Sequence, residues 1–439
     1  LGGLGLGTLR LLPLLGLLAL VFGGSPGDVA GGMVDPGASI SAYLVLGAVL
    51  CAALVLDLLL VALLVRALGA RVGRAGDDFP IHGTAGGPFV ALWLATGLVE
   101  RAGTWLSGSL FWPPWLRLAG MRVGRGAEVS TIIDVLPRDI TIGAESFLAD
   151  GIYLGGARLE RGRARRASTR LGRDTFVGNH AVIPAGADLP NDLLIGVCTV
   201  AADFPRPGAW FGQPPIELPR PPEPDFDRSL THDPNLVRRL NRLTWEAARL
   251  GLPMVAAGLA WLALSLAYRV NVDPHLGVGA DADLLSALAA LVVTAAVGLG
   301  GVLALKWLLL GRVRPGKHAL WSCWCSRWDF HYVVWGLFGR PGLAFFDGTL
   351  LQSVVLRLFG MRIGPGVLLG GGFAQVVDPD MLSFEEGATV GGVFQAHTFE
   401  DRVLKIDHLS VGPGATLGAG ALAFYGVRLE AGSRARPQA

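Results

Sequence analysis

Charge and cysteine are both scarce in this 439-residue sequence. Only 16% of the residues are charged, against about 25% in ordinary soluble domains, so part of the chain is expected to sit in lipid. The formal net charge of +2 does not indicate a nucleic-acid binder. Four scattered cysteines exclude the disulfide framework of a small secreted protein. Because the sequence lacks an initial methionine and opens within an apolar stretch, we expect a fragment of a longer protein.

Four apolar stretches predict membrane-spanning helices. Residues 1–23 contain one charge, Arg10, and residues 43–65 contain one, Asp57, whereas 250–268 and 284–305 contain none. About 20 residues at about 1.5 Å rise cross a hydrocarbon core of about 30 Å, so the last three suffice in length. The alternative is a buried helical hairpin in a large soluble core. Asp57 is either functional, as intramembrane charges often are, or merely faces the helix bundle.

Basic residues predict the orientation of these helices. Arginines follow the second stretch, precede the third and follow the fourth, whereas residues 23–39 and 271–283 contain aspartate but neither Lys nor Arg. The positive-inside rule therefore places both long polar segments in the cytoplasm. The arginines and the lysine counted here are Arg66, Arg71, Arg74, Arg238, Arg239, Arg242, Arg249, Arg312, Arg314 and Lys317.

The two polar segments are copies of one another. The motif Leu116-Arg-Leu-Ala-Gly-Met-Arg-Val-Gly124 matches Leu356-Arg-Leu-Phe-Gly-Met-Arg-Ile-Gly364 at an offset of 240 residues. Upstream of each motif lies a Trp-rich apolar segment. The repeated unit is therefore two spans, a Trp-rich interfacial segment and a polar domain.

Within each polar domain, aliphatic residues recur every sixth position. Neither an amphipathic helix nor an antiparallel strand produces this period, whereas three short parallel strands per coil of about 18 residues do. The sequence thus predicts membrane α-helical spans plus two tandem-duplicated left-handed parallel β-helix (hexapeptide-repeat) domains. The recurring residues are Leu171, Val177, Ile183, Leu189 and Ile195 in the first copy and Val411, Leu417, Ala423 and Leu429 in the second.

These patterns predict seven consecutive segments. They are transmembrane helices 1 and 2 (1–66), a Trp-rich interfacial segment (67–119), the first β-helix (120–202), a Pro-rich linker (203–245), transmembrane helices 3 and 4 (246–311), a second Trp-rich segment (312–359) and the second β-helix (360–439).

Three phrases carry a resemblance to a known family. They are Gln395-Ala-His-Thr-Phe-Glu-Asp-Arg402, Val177-Gly-Asn179 and Trp210-Phe-Gly-Gln-Pro-Pro-Ile-Glu-Leu-Pro219. With the paired-span layout, they resemble the C-terminal membrane region of nonribosomal-peptide-synthetase-like enzymes of the ε-poly-L-lysine synthetase type. The resemblance implies tandem acetyltransferase-like domains in a bacterial-type cell membrane, which join a carrier-bound aminoacyl group to an amine.

The chain departs from that family pattern in what it contains. It has no adenylation or carrier segment, and it has two tandem domains where the family typically has three. The resemblance therefore implies carrier and adenylation domains upstream or on another chain. It also implies a phosphopantetheine thioester on the carrier, with no cofactor bound to this chain, and it leaves homo-oligomerisation possible.

The second copy holds the candidate catalytic residues. Aminolysis of a thioester needs a base, and histidine suits that task near neutral pH. The resemblance points to His397 as the base, with Glu400 or Asp401 fixing its tautomer and Arg402 binding a carboxylate or phosphate. Gln395 opens the same phrase and is a candidate for substrate binding. The alternative is a hydrogen-bond and ion-pair cluster that only holds the loop.

The first copy holds candidate binding residues. Its period is interrupted by an arginine-rich segment, which suits the phosphopantetheine phosphate or an acidic carrier face, or equally a solvated hairpin on anionic lipid headgroups. The candidates are Arg158, Arg161, Arg163, Arg165 and Asn179. His318, Cys323, Cys325 and His331 have ligand chemistry, but the intervening tryptophans favour an interfacial helix, so we expect no metal site.

Two other functions stay open at this point. A membrane-bound O- or N-acetyltransferase would use acetyl-CoA and need no carrier protein. A non-catalytic scaffold would instead attach a synthetase to the membrane, and substitutions in its loops would spare activity.

Overall fold

The computed structural model describes residues 14–18, 20–21, 40–82, 87–201, 204, 206–219, 226–272, 282–370 and 378–436. The chain divides into two compact units. The first is Leu1–Gly23, Val49–Asp225 and Glu400–Arg402, and the second is Gly24–Ala48, Phe226–Phe399 and Val403–Ala439.

In each half of the chain, helices with one short strand among them precede the other strands. The α-helices are α1 (Ile40–Arg71), α2 (Gly87–Leu106), α3 (Trp112–Leu118), α4 (Arg228–Thr231), α5 (Leu236–Leu250), α6 (Leu252–Val272), α7 (Ala282–Leu309), α8 (Cys323–Val334), α9 (Arg340–Ala344) and α10 (Leu350–Leu358). Two 3-10 turns, Pro137–Asp139 and Pro379–Met381, and a π-helical turn, Trp335–Gly339, complete the helical elements of the described residues.

Three helical segments among the described residues are long and apolar enough to cross a membrane. They are Ile40–Arg71, Arg228–Leu266 and Leu288–Leu309. They contain most of the stretches predicted at 43–65, 250–268 and 284–305, so long apolar helices are confirmed there. The stretch predicted at 1–23 lies largely outside the described residues, and the orientation stays a prediction.

The strands of the first half are short. They are β1 (Asp78–Pro80), β2 (Arg122–Val123), β3 (Glu128–Val129), β4 (Ile132–Ile133), β5 (Ile140–Ile142), β6 (Phe147–Leu148), β7 (Ile152–Leu154), β8 (Arg158–Glu160), β9 (Arg163–Arg165), β10 (Thr169–Leu171), β11 (Phe176–Val177), β12 (Val182–Ile183), β13 (Leu193–Ile195), β14 (Gly208–Phe211) and β15 (Ile216–Leu218).

The second half repeats this pattern. Its strands are β16 (Gly316–Ala319), β17 (Arg362–Ile363), β18 (Leu368–Leu369), β19 (Leu382–Phe384), β20 (Thr389–Val390), β21 (Val393–Gln395), β22 (His397–Glu400), β23 (Val403–Ile406), β24 (Leu409–Val411), β25 (Thr416–Leu417), β26 (Leu422–Phe424), β27 (Arg428–Leu429) and β28 (Arg434–Ala435).

Consecutive strands enter different parallel sheets in turn. In the first unit β2, β3 and β4 start three sheets, which β5, β6 and β7 and then β10, β11 and β12 extend in the same order. In the second unit β19, β20 and β21 are followed in the same cyclic order by β24, β25 and β26. The chain therefore returns to the same sheet after every third strand.

The register matches the predicted coil length. Phe176 pairs with Leu194, and Ser410 pairs with Arg428, so each pair is separated by 18 residues (194 − 176 and 428 − 410). All nine residues of the six-residue period are buried, which confirms that they face the interior. Glycine follows several of them because successive coils approach closely: a Cβ at Gly172 would lie 2.3 Å from the Pro190 carbonyl oxygen.

An antiparallel hairpin interrupts the period in each half. Strand β9 pairs with β8 on one side and with β1 on the other, and β23 lies between β22 and β16 in the same way. The turn residues Arg161 and Gly162 have φ of 49° and 73°, and Asp401 and Arg402 have φ of 41° and 66°. Two consecutive residues with positive φ are typical of the two-residue turns that match the twist of paired strands. Both segments that break the six-residue period are therefore hairpins.

Candidate functional site

The second unit brings a histidine and a carboxylate into hydrogen-bond contact. Nδ1 of His397, the first residue of β22, lies 2.6 Å from Oδ2 of Asp378, and we call these two residues the dyad. Asp378 precedes the turn Pro379–Met381 and is almost fully buried, while the imidazole is 13% exposed. A carboxylate at Nδ1 fixes the tautomer and directs proton exchange to Nε2.

A tryptophan holds the other oxygen of the carboxylate. Nε1 of Trp328, on α8, donates a hydrogen bond of 2.7 Å to Oδ1 of Asp378. Both carboxylate oxygens therefore have partners, so the side chain cannot rotate without losing one of two buried hydrogen bonds. The imidazole is therefore oriented by a carboxylate that a residue of helix α8 holds in place.

Aromatic rings enclose the imidazole. Its centroid lies 4.8 Å from the Trp328 ring and 6.5 Å from the Tyr332 ring, and both contacts are edge-to-face. Phe399 contacts Trp328 in the same way at 6.1 Å. Such rings exclude water from one side of the site, and their faces attract cations.

A second buried carboxylate lies next to the dyad in the sequence. Oδ2 of Asp380 lies 2.7 Å from Nζ of Lys306, near the C-terminal end of α7, and accepts a hydrogen bond of 3.1 Å from the Val313 N–H group. This ion pair connects the apolar helix α7 to the turn that carries Asp378.

Burial favours the neutral forms of two other histidines near Asp378. Burial lowers the pKa of His318, against the opposing effect of the Asp378 charge. Burial also lowers the pKa of His331 to about 4. The imidazole of His318 stacks on Trp324 at 3.8 Å, and His331 is fully buried on α8. Their environments suit structural histidines.

The other predicted residues of the second copy lie close to the dyad in the sequence. Gln395 ends β21, opposite Phe424, and Glu400 ends β22. Asp401 and Arg402 form the turn, and Glu400–Arg402 is grouped with the first unit. There, the buried Arg402 guanidinium donates to Oε2 of Glu145 at 3.0 Å and to the Gly126 carbonyl at 2.5 Å. The Arg402 guanidinium is thus paired with groups of the first unit.

The predicted arginines of the first copy lie on one exposed hairpin. Arg158 is on β8, Arg161 is in the turn, and Arg163 and Arg165 are on β9. The last two form ion pairs with Asp78 on β1, at 2.8 and 3.2 Å. Burial raises the pKa of Asp78 and the two guanidinium groups lower it, with a net shift downward.

Asn179 has a structural contact. Its buried side-chain oxygen accepts a hydrogen bond of 3.0 Å from the Asp150 N–H group, and its carbonyl accepts one of 2.9 Å from the Cys198 N–H group. These bonds join neighbouring coils within the first unit.

Sequence reasoning missed Asp378 and Trp328. Asp378 stands 19 residues before its partner and Trp328 stands 50 residues before Asp378, so only the fold brings the three together. The sequence did contain one signal. In both copies a proline opens a short turn before a strand, and the residue before that proline is Leu136 in the first copy but Asp378 in the second. Within the described part of the chain, no group of three or more His, Cys, Asp or Glu residues has the arrangement of a metal site.

Comparison with known proteins gives one informative result. No protein-family model matches the chain, and no solved structure matches it. The chain is 30% identical over 361 residues to the delta-poly-L-ornithine synthetase of Acinetobacter baumannii (strain AB307-0294). The alignment covers 79% of this chain and 26% of that protein, so the chain spans about a quarter of the length of the curated relative. The similarity is thus to part of a poly-amino-acid synthetase and does not single out the ε-poly-L-lysine type.

Proposed function

We propose that this chain is the membrane part of a synthetase-like enzyme that forms amide bonds between amino acids. The similarity to a poly-amino-acid synthetase supports the reaction class. The contact of 2.6 Å between His397 and Asp378 is the observation that carries the proposal, because it supplies an oriented base beside a partly exposed surface.

In the proposed reaction an amine attacks the carbonyl carbon of a carrier-bound aminoacyl thioester. His397 takes the proton that the amine nitrogen loses as the C–N bond forms. The C–S bond then breaks, and the proton passes to the leaving thiolate, which gives the amide and the free thiol. Asp378 holds Nδ1 and stabilises the imidazolium that forms between these steps, as buried carboxylates do in other His-dependent transfer enzymes.

The remaining candidates take supporting roles in this proposal. Gln395 and the aromatic ring of Tyr332, which are both partly exposed, form the surface against which the amine binds. Glu400, Asp401 and Arg402 shape the hairpin that presents His397. Arg158, Arg161, Arg163 and Arg165 receive the phosphopantetheine phosphate or the acidic face of a carrier domain, and Asn179 supports the coil behind them.

We also propose that the parallel sheets of each unit form a left-handed β-helix. The cyclic strand order, the 18-residue register and the buried six-residue period support this fold. A rigid coil of this kind provides a platform from which a hairpin projects, and projecting loops commonly carry function.

The test is amide formation by the full chain in lipid nanodiscs. The probes are the pantetheine thioesters of L-lysine and L-ornithine, with the free amino acids as acceptors and mass spectrometry as the readout. We expect His397→Ala to abolish product formation and the exposed His408→Ala on the same domain to retain it. Equal yields from both variants would refute the catalytic role.

The same assay separates the other two functions. Transfer from acetyl-CoA that exceeds transfer from the aminoacyl thioesters would identify an acetyltransferase. No transfer from any thioester by the unmodified chain, together with binding of a carrier protein, would identify a scaffold.

A further inference from the structure

Helix α5 (Leu236–Leu250) is inverted relative to an ordinary surface helix. Three of its charged side chains face the protein interior: Arg242, Glu246 and Arg249 are 3%, 2% and 2% exposed. Its large apolar side chains face outward instead, and Leu236, Val237 and Leu240 are 70%, 74% and 52% exposed. A surface helix of a soluble protein shows the opposite arrangement.

The inward charges have partners that fix this orientation. Arg242 donates to Glu246 at 2.7 Å, and its guanidinium lies 4.6 Å from the centre of the Trp321 ring. Arg249 forms an ion pair with Asp329 of α8. Turning the leucines inward would carry these charges outward and would separate Arg249 from Asp329 and Arg242 from Trp321. The buried contacts therefore favour the observed orientation of the helix.

The outward face is continuous and apolar. Residues 236, 240, 243 and 247 follow the spacing of one helical face, and all four are exposed Leu or Ala. Val237 extends this face, and Arg239 is a charged residue at its edge. A cluster of large aliphatic side chains on one exposed face is unfavourable in water, so the face fits an apolar environment.

We propose that the outward face of α5 lies among the acyl chains at the surface of the membrane. The helix is separated from the apolar helix α6 by Gly251 alone, so it emerges directly from the bilayer. The candidate span Arg228–Leu266 has 39 residues, about twice the roughly 20 that cross a hydrocarbon core. Helix α6 alone is long enough to cross, which leaves α5 at the interface.

The charges at the edge of the face fit the same environment. Arg239 is exposed, Arg238 is half-buried, and the N-cap is the neutral Asn235. Helices that lie in the interface combine an apolar face with flanking Lys or Arg, which bind anionic headgroups. A membrane with anionic lipid is therefore the occupant to which the structure points.

This position brings the dyad close to the lipid surface. Helix α5 packs on α8, where Trp245 contacts Phe330 at 5.3 Å between ring centroids and Asn241 donates to Ser326 at 3.1 Å. The same α8 carries Trp328, which binds Asp378. Helix α8 thus contacts the interfacial helix through Ser326 and Phe330 and the dyad through Trp328.

Photocrosslinking tests this placement in the full chain. A photoreactive diazirine analogue of leucine is introduced at position 240, and at position 368 in a matched control. Leu368 is an exposed leucine on strand β18, in the sheet domain of the same unit. Each protein is placed in nanodiscs of phosphatidylcholine and phosphatidylglycerol, irradiated and examined by mass spectrometry.

We expect lipid adducts at position 240 at least ten times more abundant than at position 368. Equal lipid yields at the two positions would overturn the proposal. Adducts at position 240 that contain only a second copy of the chain would also overturn it, because they would identify a dimer interface. A repeat at Leu243, on the same face, guards against a local folding defect at position 240 and is expected to give the same excess of lipid adducts.

Discussion

The two sheet domains share a plan but place their buried ion pairs differently. In the first unit, Asp139 ends the turn Pro137–Asp139 and forms a bidentate pair with Arg166, with bonds of 2.7 to 2.9 Å. In the second unit, the carboxylate of Asp378 stands just before the corresponding turn and binds His397. At the 240-residue offset between the copies, the residue of the first copy that corresponds to His397 is Ala157.

The difference between the pairs is chemical. The Arg166 guanidinium stays charged at all physiological pH values, and it also donates to the carbonyls of Val72 and Arg74. Burial raises the pKa of Asp139 despite this partner. An imidazole, in contrast, exchanges a proton near neutral pH and retains a second nitrogen. The same fold thus carries a structural pair in one unit and a pair suited to proton transfer in the other.

The largest effect is expected for Asp378→Asn. An asparagine amide donates a hydrogen bond where the carboxylate accepts one, so it selects the wrong imidazole tautomer and cannot stabilise the imidazolium. The rate of amide formation in the thioester assay should fall by about 10⁴-fold, as for comparable His–Asp pairs. Asp407→Asn, an exposed change on the same domain, serves as the control. A variant that keeps half of the normal rate would remove the distinction between the two pairs.

The matching substitution in the first unit should affect stability instead. Asp139→Asn leaves the buried Arg166 charge without its counterion, which costs about 3–5 kcal/mol. Hydrogen–deuterium exchange in residues 140–171 should accelerate accordingly, while the rate of amide formation per folded molecule stays unchanged.

The exposed pair Arg170–Asp188 provides the control for this experiment. Both side chains are more than half exposed, so Asp188→Asn should change exchange rates little, in line with the about 0–1 kcal/mol typical of surface pairs. A loss of amide formation in Asp139→Asn without faster exchange would mean that the first unit takes part in the chemistry.

The fold was largely predictable because the six-residue period reports directly on what each side chain faces. Leu171, Val177 and Ile183 are buried as expected. The chain at each of them pairs 18 residues further on: Arg170 with Asp188, Val177 with Ile195 and Val182 with Val200. The hairpins, in contrast, follow no hydrophobic period, and they were predicted only as interruptions. Their pairing depends on β1 and β16, which stand far upstream in the sequence.

The candidate site was only half predictable. His397 stands in a phrase that resembles a known motif, but Asp378 and Trp328 contact it through folding alone. The arginines counted for the orientation of the helices also differ in their environments. Arg242 and Arg249, which contribute to the positive-inside prediction, are buried in ion pairs, because α5 turns its charged face toward the protein.

A third, smaller contrast concerns acid sensitivity. The helix α8 buries His331, whereas α2 in the first unit contains no histidine. Because burial lowers the pKa of His331 from 6.5 to about 4, the unfolded chain binds a proton between these pH values and the folded chain does not. The contribution of the neutral His331 to the free energy of unfolding is therefore fully present above pH 6.5. It declines as the pH falls toward 4, by about 3 kcal/mol.

Hydrogen–deuterium exchange at pH 7 and pH 4.5 measures this decline. Peptides from α8 should lose more protection at pH 4.5 than peptides from α2, after correction for intrinsic exchange rates. In His331→Phe, which keeps an aromatic ring but cannot bind a proton, the difference between the two helices should shrink. An unchanged difference in that variant would assign the acid sensitivity to another group.

The smallest effect is expected for Trp328→Phe, which tests whether α8 positions the carboxylate. The change removes the 2.7 Å hydrogen bond to Asp378 and keeps an aromatic ring beside His397. A hydrogen bond to a charged group contributes about 1.5–3 kcal/mol, and part of this loss is recovered by relaxation of the carboxylate. We expect kcat to fall about tenfold, because one factor of ten corresponds to about 1.4 kcal/mol, while KM for the thioester stays constant.

Trp324→Phe is the matched control for this prediction, because Trp324 lies on the same helix but stacks on His318 rather than on the dyad. It should leave both kinetic parameters unchanged. If both variants lowered kcat equally, the tryptophans would act through the stability of α8, and the contrast between the units would reduce to His397 and Asp378 alone. If Trp328→Phe raised KM without changing kcat, the indole would bind substrate rather than orient the carboxylate.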